Sequence, residues 1–198
     1  MKLAFSAASP YVRKVMACAI ARGIDGQIET AKIGTSDPVL ATMNPLSKVP
    51  TLVADGGMTL YDSPVICEYL DSVGSAPGLF PPAGPARWTA IRRAALADGI
   101  MDAAQPRRRE LALPQDEGRT TWIEQQKGKV ARSLDALETE ADSLKGLSTY
   151  GEITIACALG YLDFRFANEP WRPGHPKLAA WYAKVVTMKP MAETMPVG

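Results

Sequence analysis

The chain has 198 residues, 46% of them hydrophobic, with 22 basic and 21 acidic side chains for a net charge of +1. That length suffices for one large domain or two small ones. The balanced charge leaves no electrostatic footprint for nucleic acid, and no window of about 18 apolar residues exists to span a membrane. The opening MKLAFSAASPYVRKV has no secretory apolar run, so a soluble, cytoplasmic protein is expected. Cys18, Cys67 and Cys157 are an odd count in segments that read as helix. Buried side chains are expected there rather than disulfides, and the absence of CxxC argues against a dithiol redox enzyme. The single histidine, His175, precedes Pro176 and is expected in a surface loop, with no metal site.

In chain order, residues 2–5 read as a short strand and Ser6 to Ser9 as a loop. Pro10 opens a helix to about Arg22, in which Val12, Val15, Met16, Ala19 and Ile20 form one apolar face. Arg13 is expected on the surface of that helix, and Gly23 stops it. Residues 27–31 read as a second strand, which completes a right-handed βαβ unit if the two strands are parallel. A loop with a short helical turn after Asp37-Pro38 is expected over residues 35–43. Residues 51–54 and 58–60 read as a hairpin around Asp55-Gly56-Gly57, followed by a helix over residues 64–73.

The stretch GSAPGLFPPAGP, residues 74–85, is the sharpest composition break in the chain. It sets the expected domains at 1–76 and 84–198. Every later segment reads as helix. The first covers about 87–113, with Pro106 as a kink or interruption. Ile123, Val130, Leu134 and Leu137 mark a second, Ile155, Leu159, Leu162 and Phe166 a third, and Leu178, Trp181, Tyr182 and Val185 the last. Asp98 and Asp102, one turn apart, read as solvent-facing or paired with Arg92, Arg93 or the run Arg107-Arg108-Arg109. That run reads as a solvated face.

Residues 44–69, NPLSKVPTLVADGGMTLYDSPVICEY, carry the densest signals. Pro50 cannot donate to a ladder, so Val49-Pro50 reads as a cis or edge element with the Val49 backbone unpaired. An extended ligand could pair with Val49 as an added strand. Ser63 reads as a helix N-cap and Pro64 as the first helical residue. The free N–H groups there suit a carboxylate, and Asp62 suits an ammonium. A ligand with a peptide middle, a carboxylate and an amino group is glutathione-like.

This stretch resembles the glutathione-transferase family, whose thioredoxin-like domain carries a similar N-P-x-x-K-V-P segment followed by an acidic residue and serine. The family's helical half carries a capping box close to S/T-x-x-D, matched here by Ile153-Thr154-Ile155-Ala156-Cys157. Thr154 is then the expected N-cap, Ile153 the staple residue, and Cys157 a departure from the acidic position. The ending from His175 to Lys184 resembles the family's penultimate helix. The resemblance implies a thioredoxin-like α/β N-terminal domain followed by an all-α bundle.

It also implies glutathione as co-substrate. A free thiol titrates at about 8.5, and a hydrogen-bond donor aimed at the sulfur favours the thiolate. Ser9, before Pro10-Tyr11 at the mouth of the first helix, resembles the donor of serine-type members; Ser6 is the rival. No histidine stands by to make either serine a nucleophile. Lys48, Val49, Pro50, Asp62 and Ser63 are the expected glutathione-binding residues. Tyr11 and the face around Ile100, Met101 and Ala104 are expected to hold an apolar electrophile. A two-fold homodimer is implied, with Ala90, Ala94, Ala95 and Ala97 allowing close helix approach. A non-catalytic ligand-binding or protein-interaction module of the same fold is the alternative.

Overall fold

The computed structural model describes residues 1–34 and 36–198. Strand β1 (Lys2–Phe5) buries Leu3 and Ala4. It pairs in parallel with β2 (Glu29–Lys32), with Leu3 opposite Thr30. Helix α1 (Pro10–Ala21) makes the crossover between them, as the βαβ expectation required. β2 starts two residues later than expected because Asp25–Gln27 closes a 3-10 turn first. The loop expected to begin at Thr35 starts outside the described residues; beyond it, α2 (Pro38–Met43) is capped by the Asp37 side chain.

β3 (Thr51–Val53) runs antiparallel to β1 and to β4 (Thr59–Leu60), giving the sheet order β2-β1-β3-β4. The turn between β3 and β4 needs glycine, since Gly56 and Gly57 have φ of 89° and 87°, a region that side chains with a Cβ avoid. Helix α3 (Ser63–Val73) then packs beside α1. Arg22 ties the following segment down. Its Nε lies 3.0 Å from Asp71 Oδ1, whose carboxylate accepts the N–H groups of Leu79 and Phe80.

From residue 85 onward the chain is helical: α4 (Pro85–Leu111), α5 (Glu117–Glu140), α6 (Tyr150–Arg165), α7 (Pro176–Val185) and the short α8 (Lys189–Ala192). α4 continues past Pro106 as one 27-residue helix, so the proline does not interrupt it. α6 is the central helix, buried from Tyr150 to Leu162 between α1 and α4. At Gly151 a Cβ would stand 2.5 Å from the Ala90 carbonyl oxygen, so glycine sets the closest approach of α6 to α4. Ala90, Ala94 and Ala97 are accordingly buried inside this bundle and not offered to a second copy; of the four alanines only Ala95 is exposed.

Two expectations about single residues change. The cap of α6 is Thr149, not Thr154. The Thr149 hydroxyl accepts the Glu152 N–H and Glu152 reaches back to the Thr149 N–H, a complete capping box upstream of the expected one. Thr154 lies inside the helix, where its hydroxyl donates to the Tyr150 carbonyl at 2.8 Å. His175 is buried rather than on the surface: Nδ1 lies 2.7 Å from the Trp171 carbonyl oxygen and Nε2 3.0 Å from Asp135. The three cysteines are fully buried as expected, in α1, α3 and α6. Burial pushes the Cys157 thiol up to about 12, so it is no nucleophile at neutral pH. Among the described residues no helix is long and apolar enough to cross a membrane.

Candidate active site

A cleft of about 660 Å³ opens between the sheet half and the helical half. One wall carries Ser6, Ser9, Tyr11, Lys48, Val49, Pro50 and Asp62; the other carries Asp102, Gln105, Arg108, Arg109, Tyr161 and Arg165. Of the residues expected at the site, Ser6, Ser9, Tyr11, Lys48, Val49, Pro50 and Asp62 thus face one space. Ser63 lies just behind Asp62, and Met101 does not reach the cleft.

The sheet-side wall is made by a self-supporting loop. Asn44 is buried, and its side-chain amide donates to the Lys48 carbonyl at 3.1 Å and to Thr51 Oγ1 at 3.0 Å. Thr51 Oγ1 donates in turn to the Lys48 carbonyl at 2.8 Å. The Asn44 oxygen accepts the Leu46 N–H at 2.9 Å. Asn44 and Thr51 were not singled out from the sequence, although Asn44 opens the N-P-x-x-K-V-P segment. They hold the chain so that the cis Val49-Pro50 peptide stands at the cleft. Neither the N–H nor the carbonyl of Val49 has a partner among the described residues, so both are open to an extended ligand.

The entrance of α3 differs by one residue from its expected form. Asp62, not Ser63, is the N-cap, and its carboxylate accepts the Ser63 N–H. Ser63 becomes the first helical residue, with Pro64 next. The cap occupies one N–H and proline removes a second. The groups left for an anion are the Val65 N–H and the Ser63 hydroxyl, which is buried without a partner. A buried hydroxyl left unpaired is costly, and a ligand oxygen at this helix N-terminus would satisfy it.

Ser9 sits at the N-terminus of α1. Its Oγ accepts the Val12 N–H at 3.3 Å, which makes it the helix cap. A hydroxyl has one donor and two acceptor sites, so capping leaves its proton free to be given into the cleft. The Ser9 N–H donates to the Ser6 carbonyl at 3.1 Å, so the two serines stand at the ends of one turn and both face the cleft.

Tyr11 is committed elsewhere. Its hydroxyl donates to Asp102 on α4, and burial together with Asp102 pushes its pKa well above the ordinary tyrosine range. The proton stays on Tyr11, held by a carboxylate. One turn further along α1, Lys14 is fully buried with its Nζ 2.6 Å from Asp98 Oδ1 and 5.4 Å from the centre of the Tyr150 ring. Burial raises the Asp98 carboxyl above its ordinary value, against the pull of Lys14. Asp98 and Asp102 therefore bind α1 and not the arginines expected for them. Arg92 and Arg93 pair instead with Glu140. Arg13 is also buried: it donates to the Met191 carbonyl at 3.1 Å and pins the C-terminal segment.

The helical wall is not the expected apolar pocket. Ile100, Met101 and Ala104 are fully buried in the core, because that face of α4 is used against α6. The side of α4 turned to the cleft carries Asp102, Gln105, Arg108 and Arg109. The arginine run is split: Arg107 is buried and doubly bonded to Glu169 at 2.6 and 2.9 Å, while Arg108 and Arg109 face the cleft. Arg165 and Tyr161 reach the same wall from α6. Their distance in sequence from Arg108 hid this grouping.

Family models for the glutathione S-transferase N-terminal domain and C-terminal domain match residues 8–73 and 120–184. The chain is 36% identical to the uncharacterized GST-like protein YibF of Escherichia coli (strain K12), over 99% of this chain and 98% of that protein. It is 41% identical to a glutathione transferase family member from Pseudomonas fluorescens Pf-5. That protein's crystal structure with bound glutathione superposes with a TM-score of 0.90, over 100% of this chain and 99% of that one. The same Pseudomonas protein with bound S-(propanoic acid)-glutathione gives a TM-score of 0.85, with 99% of each chain covered. Both family models match, and the identity and superposition run along the whole length of the chain; the chain belongs to the glutathione S-transferase family.

Proposed function

We propose that the protein is a glutathione transferase that holds reduced glutathione along the sheet-side wall and activates its thiol at Ser9. The observation that carries this reading is the shared cleft: Ser9, Lys48, the unpaired Val49 backbone and Asp62 face one space, with the orphaned Ser63 hydroxyl at its edge. The peptide middle of glutathione would pair with Val49. Its α-carboxylate would take the Ser63 hydroxyl and the Val65 N–H, its ammonium Asp62, and its glycine carboxylate Lys48. The thiol would then lie at the mouth of α1, where the Ser9 proton and the helix N-terminus both stabilise a thiolate.

The thiolate sulfur bonds to an electrophilic carbon, the leaving group departs with its electron pair, and the thiol proton passes to solvent. Reduction of a peroxide by the same thiolate is the companion reaction. The two relatives with glutathione or its derivative bound support the co-substrate. Titration calorimetry with reduced glutathione, followed by turnover of chlorodinitrobenzene, tests the reading. Binding without turnover of any electrophile or peroxide would leave the non-catalytic ligand-binding module; no binding would remove the transferase and leave the protein-interaction module.

The reading includes a two-fold homodimer. Val65 and Val73 on α3 and Trp88 on α4 are exposed apolar side chains, Trp88 at 68%, on elements that the Glu68–Arg87 pair links. Covering them twice over in a symmetric contact would satisfy all three. Light scattering should give about twice the 21.3 kDa chain mass, and Trp88→Glu should return the mass of one chain.

A further inference from the structure

We infer that the second substrate is a small electrophile carrying a carboxylate, held by Arg108, Arg109 and Arg165 on the helical wall. This rests on the glutathione-transferase reading of the cleft and deepens it. Successive residues on an α-helix point about 100° apart, and α4 uses this to sort its three arginines. Arg107 turns into the bundle to Glu169. Arg108 and Arg109 turn to the cleft, where neither has an acidic partner among the described residues. Arg165 joins them from α6. Its one hydrogen-bond partner among the described residues is the Gly198 backbone oxygen at 3.3 Å, its Nε is buried without a partner, and its guanidinium lies 3.8 Å over the Phe164 ring.

Two acids share the cleft. Asp62 is on the opposite wall, and Asp102 accepts the Tyr11 hydroxyl. Four cations, Lys48 and the three arginines, therefore face two carboxylates, in a concave space that concentrates the field. Burial and then the neighbouring Arg108 push the Arg165 guanidinium below its ordinary pKa, so the charges on this wall oppose one another as it stands. An anion between them would relieve that repulsion, and arginine forks match a carboxylate bidentately. Tyr161 lines the same wall, and burial raises its pKa, keeping its hydroxyl a donor.

Glutathione has carboxylates of its own, so the test must separate the two sources. Lys48 stands next to Val49 on the sheet wall and serves glutathione's glycine end in the reading above, which leaves the arginines for what is attached to sulfur. The full chain is titrated in a calorimeter with glutathione, with S-propylglutathione and with S-carboxyethylglutathione. The last two differ in whether the chain on sulfur ends in a methyl or a carboxylate. The wild type should bind the acid roughly tenfold tighter than the propyl conjugate, the scale of a charged hydrogen-bonded pair. Arg108→Gln/Arg109→Gln, both exposed positions, should bind the two conjugates alike and glutathione as before; Arg165→Gln should narrow the preference in the same direction.

Equal affinities in the wild type would overturn the proposal, as would a preference that survives in the double variant. A double variant that loses glutathione itself to the same extent would reassign the arginines to glutathione's own carboxylate and also overturn it. If the wild type binds none of the three ligands, the glutathione reading has failed and the substrate class falls with it.

Discussion

On the sheet side of the cleft, most of the lining comes from one stretch of chain, Asn44 to Asp62, joined by the mouth of α1 at Ser6, Ser9 and Tyr11, and it mixes the open Val49 backbone with side chains. On the helical side the groups come from Asp102 to Arg165, on two helices, and all that they offer is side chain. The first wall is fixed by local rules: a cis proline, an asparagine-braced loop, a helix cap. The second is fixed by which face of α4 and α6 the bundle consumes. A wall whose shape is set by a braced loop and two helix caps suits a constant partner, since few substitutions leave that shape intact. A wall of side chains suits a partner that varies, since every residue on it can be replaced without disturbing the loop or the cap.

The joint between the walls should give the largest effect. Lys14 and Asp98 are a buried pair linking α1 to α4. Removing one partner strands the other charge, so Asp98→Asn should lose about 3 kcal/mol of stability in a denaturant titration. Lys14→Met/Asp98→Leu should recover most of that loss, because no charge is left to desolvate. A loss below about 1 kcal/mol for Asp98→Asn would mean that the Lys14–Asp98 pair does not hold the two halves together.

Within the sheet-side wall, Ser9→Ala should lower turnover by roughly ten- to a hundred-fold while glutathione binding changes little, since one positioned donor to the anion is removed. The helix cap is lost as well, at about 1 kcal/mol, so stability must be measured beside the rate. A large effect of Ser6→Ala with a small one of Ser9→Ala would move the donor three residues upstream.

The helix entrance should give the smallest change. Ser63→Ala removes the unpaired hydroxyl and Asp62→Ala the charge, and each should weaken glutathione binding by about tenfold, the worth of one hydrogen bond to a charged group. Calorimetry in which neither variant differs from wild type would reduce Asp62 to a cap and Ser63 to a buried helical residue.

Much of this was legible in the chain. The βαβ crossover followed from periodicity, and the hairpin from Asp55-Gly56-Gly57. The Val49-Pro50 corner and the α3 entrance followed from proline's missing donor. The capping box of α6 was also readable as Thr149-x-x-Glu152, but the resemblance drew the expectation to Thr154. The misplacement of Met101 has a different origin. Its apolar face was recognised correctly as apolar, but apolarity does not say whether a face meets a ligand or another helix.

What the sequence by itself determined is the set of groups whose role is settled within a turn or two of chain, because steric limits on φ and ψ and the need to pair backbone N–H groups act locally. The tertiary structure alone decided the fate of the charged helical residues. Arg13 reads as a surface position of α1, and Lys14 was not singled out, yet both are buried, because α1 is covered by the sheet half on one side and by α6 and α8 on the other. Arg107, Arg108 and Arg109 are identical side chains in a row. One is a structural ion pair and two face the cleft, because the bundle covers one face of α4 and leaves the next one open.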